Sequence, residues 1–434
     1  MRIVRIINYL WQNVKRIILN KNYWGFIKGH DYLTLANYND LSALITKPDN
    51  AIRKAYEKEF SSYLGIGQCL SFAGGRMAFY TLLKCFNVNK GDEVILTGFT
   101  CSVMVNAVIR AGAIPVYADI DPETYGSSPA DIELKITGKT KVIVAQHSFG
   151  IPCKIDLIKQ IAKNNNLFLI EDCALSFTST YKGIKLGNWG DAAIFSTDHS
   201  KPINTLTGGI LYTLDESLFN MAEKLYDTSP ELSVKHQRNI LKQIWVEKKY
   251  CNSTKYAVYK LLSLFGAIKD KVFKENITFL SDDNYAKVKS LGSYAYPSKM
   301  PVFLCHLGLM ELARFTKTKV QRIEALRRYM EMFSTKSDSK YILPKCYFDP
   351  VNEIVPLRFV FQSRDSGFEN RLSDFVDTSW IWFKQPIVAT TDPLSYFGYE
   401  PGACPVSESM GDKIINLPCI VGDEKLFENV ETIL

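Results

Sequence analysis

The chain has 434 residues, 47% hydrophobic and 22% charged, with a formal net charge of +7; that length suits two or three domains with a large core. Near-ordinary composition excludes disorder, collagen-like repeats and coiled-coil rods, and a mean hydropathy of −0.06 without an unbroken apolar run near roughly 18 residues excludes a polytopic membrane protein. The excess charge is local: Arg2, Arg5, Lys15, Arg16, Lys21 and Lys28 precede the first acid, Asp31, and the remainder is nearly neutral, which does not fit a surface built to track nucleic-acid phosphates.

Residues 2–19 place Ile3, Ile6, Ile7, Leu10, Trp11, Val14, Ile17 and Ile18 at helical spacing opposite Arg2, Arg5, Asn8, Gln12, Lys15 and Arg16, which predicts a basic amphipathic helix within an N-terminal arm of residues 1–48. Two fates fit such a stripe: packing on the body or on a second subunit, and lying on an anionic membrane surface. A charged helix over about Asp49–Tyr63 opens the next region, 49–290. There, short apolar runs (Cys69–Phe72, Glu93–Thr97, Ile114–Ala118, Val142–Ala145, Leu167–Ile170, Ala192–Ser196, Gly209–Tyr212) alternate with helical ones (Met77–Cys85, Val103–Ala111, Ile155–Lys163). That rhythm predicts a three-layer α/β/α domain with a largely parallel sheet, whose ligands lie beyond the carboxyl ends of the strands.

Residues 217–290 are helical, charged and tyrosine-rich, an insertion within that domain. The region 291–434 opens on a long helix, Leu304–Arg328, followed by strand-like runs at Ile354–Gln362 and Ser379–Phe383 and a helix near Phe368–Phe375, the pattern of a smaller C-terminal α+β domain. Ten cysteines stand singly, with no C-x-x-C pair and no histidine at zinc spacing. They predict a reducing cytoplasm and no metal. The interrupted apolar pattern after Arg2 and Arg5 is not that of a secretory signal.

Three sites carry chemistry. Ala73-Gly74-Gly75-Arg76 follows an apolar run and opens a helix; backbone amides there suit an anion, and a tight strand-to-helix turn is the plainer alternative. Glu171-Asp172 ends the run Leu167–Ile170, where a carboxylate meets a ligand or caps the next helix. Lys201 lies on a polar loop after Phe195-Ser196, shortly before Gly208-Gly209. A lysine is usually solvated surface, but this setting suits a desolvated amine beside a phosphate. Gly65-Ile66-Gly67 lacks the third glycine of a dinucleotide fingerprint.

In chain order, the glycine turn, Gly98-Phe99-Thr100, Gln146-His147-Ser148-Phe149-Gly150, Ile170-Glu171-Asp172-Cys173-Ala174, Phe195-Ser196, and Ser200-Lys201 with Gly208-Gly209 resemble the DegT/StrS group of pyridoxal-phosphate (PLP) nucleotide-sugar aminotransferases. Gly398-Tyr399-Glu400-Pro401-Gly402 and Leu417-Pro418 resemble its small-domain segments. The resemblance implies the fold-type I PLP-dependent transferase architecture and a homodimer. Lys201 would bind the cofactor covalently and shuttle a proton, and Asp172 would pair with its pyridine nitrogen. The backbone at Gly75 and Arg76, with the Ser196 hydroxyl, would hold its phosphate, Ala174 would lie against the ring, and His147 would neighbour the pocket. Relatives carry a glutamine where this chain has Leu175, and many an aromatic where it has Cys101.

The expected activity is transfer of an amino group, from glutamate, to a ketone of a nucleotide-linked deoxysugar for surface glycans. Two alternatives stand beside it: a PLP-dependent sugar dehydratase, which Lys201 argues against because such relatives carry histidine there, and a PLP-binding protein without transaminase activity, its pocket altered at Cys101 and Leu175. Substrate choice is expected to reside in residues 217–300 and around Trp380-Ile381-Trp382-Phe383. No helix-turn-helix pattern precedes residue 60, so a fused DNA-binding regulator does not fit.

Overall fold

A computed structural model of the chain describes residues 2–273, 284, 294–335, 340–419 and 424–434. The far end of the expected insertion, 274–290 apart from residue 284, lies outside the described residues.

Seven strands form the main sheet: β1 (Gln68–Phe72), β2 (Glu93–Thr97), β3 (Ile114–Ala118), β4 (Thr140–Gln146), β5 (Phe168–Asp172), β6 (Ala192–Ser196) and β7 (Gly209–Thr213). Their order is β1-β7-β6-β5-β4-β2-β3. Only β7 opposes the rest, pairing antiparallel with β1 and with β6. The other six therefore end along one edge, and each is apolar on both faces because helices cover both sides of the sheet. Phe72 pairs with Gly209, and Gly209 with Ser196; Gln146 pairs with Asp172, and Asp172 with Ile194. That register sets four turn-bearing strand ends side by side.

The helices used below are α1 (Arg2–Ile18), α2 (Leu35–Thr46), α3 (Asn50–Leu64), α4 (Gly75–Cys85), α5 (Ser102–Ala111), α6 (Glu216–Asp227), α7 (Val234–Tyr250), α8 (Tyr256–Phe273) and α9 (Val302–Thr335). Side chains cap the starts of α2, α3, α6 and α7: Asp49, for example, accepts from the Ala51 amide at 2.9 Å, and Asp215 from the Leu218 amide at 2.9 Å. The 34-residue α9, about 50 Å long by its rise, joins two apolar cores. Leu304, Leu307 and Leu312 belong to the core under the main sheet; Ala325, Tyr329 and Phe333 belong to a second core with Phe359, Phe361, Leu417 and Phe427. This second core lies against β8 (Arg358–Ser363) and β9 (Ile414–Pro418), an antiparallel pair joined by the short strand Tyr341–Ile342.

Local departures from the sequence expectation have local causes. The strand after Ile354 begins only at Arg358, because Pro356 has no amide to donate. Ser379–Phe383 is not a strand: Asp377 accepts from the Ser379 amide at 3.3 Å and from its hydroxyl at 2.6 Å, and the chain turns through Thr378–Trp380. The helix at Phe368 stops at Leu372.

Helix α1 packs on α8, and its described side chains divide between the contact and solvent. Asn13 is fully buried, and Arg16 donates to the Ser373 carbonyl at 2.6 Å while lying 4.1 Å over the Tyr23 ring. Trp11 is 65% and Ile18 72% exposed. No described helix is long and apolar enough to cross a membrane.

Candidate active site

Helix α4 begins with Gly74 as N-cap, which supplies no side-chain acceptor, and the amide end of a helix suits an anion. Ser196 stands one strand away. A Cβ at Gly75 would lie 3.3 Å from the Phe195 carbonyl oxygen and 3.6 Å from the Ser196 Cβ, and one at Gly209 would lie 2.1 Å from the Gly75 nitrogen. The absence of side chains at these positions lets the turn close on Ser196. The amides of Gly75 and Arg76 with the Ser196 hydroxyl make a cradle that fits a phosphate. Gly209→Ala is expected to displace the start of α4 and to weaken phosphate-bearing cofactor binding by roughly tenfold or more, measured by equilibrium titration with PLP; unchanged affinity would place the phosphate elsewhere.

Asp172 ends β5 and is buried. Its Oδ1 accepts the Ala174 amide at 2.9 Å, and among the described residues its other oxygen accepts no hydrogen bond. Burial raises its pKa, against the pull of the Ala174 amide, Lys201 and His147, so this carboxylate gains by meeting a cation. Its neighbour Glu171 is spent on structure, accepting from the amides of Gly187 (2.9 Å), Trp189 (2.6 Å) and Gly190 (2.9 Å). His147 uses both ring nitrogens inside the protein: Nδ1 accepts the Cys153 amide at 3.1 Å, which leaves the proton on Nε2, 3.1 Å from Glu171. It stands behind Asp172 with no nitrogen turned to the cavity.

Lys201 follows β6 in a turn where its amide donates to the Asp198 carbonyl at 2.9 Å. Its amine packs 4.9 Å over the Trp382 indole and makes no hydrogen bond among the described residues. Burial lowers its pKa from the usual 10.5; Asp198, Cys101 and Asp172 oppose that shift and Arg358 adds to it. Cys101, just before α5, is raised by burial and drawn down by Arg76 and Lys201. Lys201, Asp172, Cys101 and Arg76 are thus close enough to influence one another's ionisation. Ala174 is half-buried beside Asp172, whereas Leu175 is buried in the second core with Phe99, Phe149 and Phe383.

Arg358 escaped the sequence reading. It is 1% exposed, lies 3.8 Å over Trp382 and 4.2 Å over Phe26, and donates to the Asn416 side chain at 3.0 Å and to the Trp380 carbonyl. One indole is therefore shared by Lys201 from the main sheet and Arg358 from β8. Nothing in the spacing of either segment signals that meeting.

A buried ionic chain also reaches this loop. Glu247 of α7 lies between His199 (3.3 Å) and His30 (3.6 Å), and His30 lies 3.7 Å from Glu311 of α9, which meets Lys28 at 3.6 Å. Burial disfavours the charged form of His30, yet the two carboxylates outweigh it and push His30 up to about 9; burial likewise works against Glu311, but His30 and Lys28 hold it down at about 2. A raised histidine contributes stability that is full below its ordinary 6.5 and is lost as pH rises through about 9. The depressed Glu311 contributes stability that is lost as pH falls through about 2. The melting temperature is therefore expected to be highest near pH 5–6.5 and to decline toward pH 9 as His30 loses its proton. A His30→Gln variant should melt lower and show a shallower alkaline slope, with His199 keeping its own share; a slope unchanged in the variant would mean that His30 is uncharged.

The seven-stranded, mostly parallel sheet between helices, with a smaller antiparallel sheet against the far end of α9, is the fold-type I PLP-dependent architecture. A family model described as the DegT/DnrJ/EryC1/StrS aminotransferase family matches residues 44–426, and the chain belongs to that family, whose cofactor is PLP. It is 39% identical over 179 residues to a GDP-perosamine synthase of Escherichia coli O157:H7, covering 41% of this chain and 49% of that protein. It is 34% identical over 247 residues to a dTDP-3-amino-3,6-dideoxy-alpha-D-galactopyranose transaminase of Aneurinibacillus thermoaerophilus, covering 57% and 62%. The chain spans about half the length of the curated relatives it matches. Among solved structures, the PLP form of a Streptococcus pneumoniae protein superposes with a TM-score of 0.66 at 18% identity, covering 95% of this chain and 97% of that one.

Proposed function

We propose that this protein is a PLP-dependent aminotransferase that moves an amino group from an amino acid, glutamate, to a ketone of a nucleotide-linked deoxysugar destined for surface polysaccharide. The observation that carries this is the desolvated Lys201 amine on the same sheet edge as the buried Asp172 carboxylate and the Gly75–Ser196 cradle. Relatives named for making perosamine and an aminodideoxygalactose support the substrate class.

Lys201 Nζ is the covalent attachment point for the cofactor aldehyde. Gly75, Arg76 and Ser196 hold the phosphate, and Asp172 keeps a proton on the pyridine nitrogen. When bound, PLP supplies a ring that accepts the electron pair left as a proton leaves the amino-bearing carbon. With the cofactor bound, Lys201 would take that proton on Nζ and return it to the adjacent position, and would act in the opposite direction for the keto sugar. Cys101 and Ala174 flank the ring. His147 orients Glu171 across 3.1 Å.

Purified protein loaded with PLP should show a visible band that glutamate bleaches and a 4-keto or 3-keto nucleotide sugar restores. A band that glutamate leaves untouched would favour a PLP-binding protein without transaminase activity; no band at all would end both readings. The protein is a cytoplasmic homodimer in this proposal, with residues 49–290 and 291–434 as its two domains. The exposed Trp11 and Ile18 beside Lys15, in a segment whose first 30 residues carry no acid, support contact with an anionic membrane surface. A Trp11→Glu, Ile18→Glu double variant should lose co-sedimentation with phosphatidylglycerol vesicles and keep its fold; equal sedimentation would exclude that contact, and loss of the dimer instead would assign the patch to a second subunit.

A further inference from the structure

We propose that Glu247, on the inserted helix α7, is a positioning residue for Lys201, acting through His199 of the loop that carries the lysine. The inference rests on the role given to Lys201 under Proposed function.

Glu247 is fully buried, although Lys248 and Lys249 follow it on the helix. Burying a carboxylate costs several kcal/mol unless partners repay it, and an apolar residue would pack as well. Its partners all converge from segments beside the site. Oε1 lies 3.3 Å from His199 Nδ1; Oε2 lies 3.6 Å from His30 Nε2 and accepts from Asn204 Nδ2 at 3.5 Å. Asn204, on the same loop as Lys201, also donates to the Lys28 carbonyl at 2.8 Å. Two points of the loop that follows β6, on either side of Lys201, are therefore tied to one carboxylate.

The groups facing His199 are few. Asp198 lies 3.3 Å from Nε2, Glu247 3.3 Å from Nδ1, and the Trp380 ring 5.3 Å away, edge-on. Lys201, two residues on, repels a charge on the ring. Beyond Glu247 stand His30, Glu311 and Lys28; around Lys201 itself stand Asp198, Cys101, Asp172 and Arg358. Two carboxylates thus hold His199 as an imidazolium, raised to about 9 although burial opposes it. A fixed positive charge so close to Lys201 favours its neutral amine, the form that attacks an aldehyde or takes a proton from carbon. The insertion reaches the chemistry by this route without touching the reacting atoms.

The test is the titration of Lys201 in the full chain without cofactor, followed by acetic anhydride labelling across pH 6–11 and peptide mass mapping. In Glu247→Gln, His199 loses one of the two carboxylates that face it while burial and Asp198 remain, so the ring holds its proton less firmly and the Lys201 midpoint should rise. Labelling at pH 8 should fall about 3–10-fold. His199→Gln should give the same shift, and the double variant no more than either alone. A merely structural role would lower the melting temperature and leave the midpoint in place. An unchanged midpoint in a folded Glu247→Gln protein overturns the proposal. Should Glu247→Gln fail to fold, an unchanged midpoint in the partly exposed His199→Gln overturns it equally. Failure of the aminotransferase reading would instead be seen as a wild-type protein that forms no PLP band, whatever the labelling shows.

Discussion

Replacing Lys201 with arginine is expected to abolish the visible band of the cofactor-loaded protein and to slow the glutamate half-reaction by at least roughly a thousandfold. The substitution keeps the positive charge and much of the packing over Trp382, but a guanidinium does not give up its proton at any working pH. Both tasks assigned to Lys201 need a neutral amine, and burial supplies it in the wild type. Borohydride treatment and peptide mapping of the loaded wild type should mark residue 201. Label on another lysine, or a Lys201→Arg protein that still bleaches with glutamate, would remove the basis of the proposed function. Exogenous methylamine should restore part of the proton transfer in Lys201→Ala and little in Lys201→Arg, where the cavity is filled.

Asp172→Asn separates charge from shape. The amide oxygen can still accept the Ala174 amide that Asp172 Oδ1 now holds at 2.9 Å, so the turn after β5 should persist. What disappears is the fixed negative charge that keeps a pyridine nitrogen protonated, and the half-reaction should fall on the order of 10²–10⁴-fold. The cofactor-free variant should nevertheless melt higher than the wild type at neutral pH. Burial raises the Asp172 pKa above its ordinary 3.8. Its contribution to stability is therefore present at low pH and lost as the carboxyl ionises, so removing the charge relieves the folded state. Scanning calorimetry of the cofactor-free proteins from pH 4 to pH 8 checks the sign. A variant that melts lower at pH 7 while binding PLP as the wild type does would mean that Asp172 serves the fold and not the cofactor.

How much of this was legible in the chain can be followed residue by residue. The runs at Glu93–Thr97, Val142–Ala145 and Leu167–Ile170 are strands because buried parallel strands are apolar on both faces, a property written within five to seven consecutive residues. The glycine turn, the acid after Ile170 and Lys201 could be singled out because each combines a local backbone or charge requirement with a position just past a strand. The Ser379–Phe383 segment misled because aromatic and β-branched residues fit a strand, while Asp377 turned the chain first. Glu171 and Asp172 are equivalent as letters; strand alternation sends them to opposite sides, and only the folded chain shows that Glu171 is consumed by three amides and His147.

The sequence by itself determined the architecture and singled out three strand-end groups, because periodicity, turn chemistry and the placement of a charge after an apolar run are all local. The tertiary structure alone decided which charges are buried together. Glu247 reads as one more acid on a lysine-rich helix, and Arg358 as an ordinary strand residue, until packing brings the first to His199 and sets the second on the indole that Lys201 shares. Burial and partnership at that range follow from the way distant segments close on one another, and no spacing within either segment encodes it.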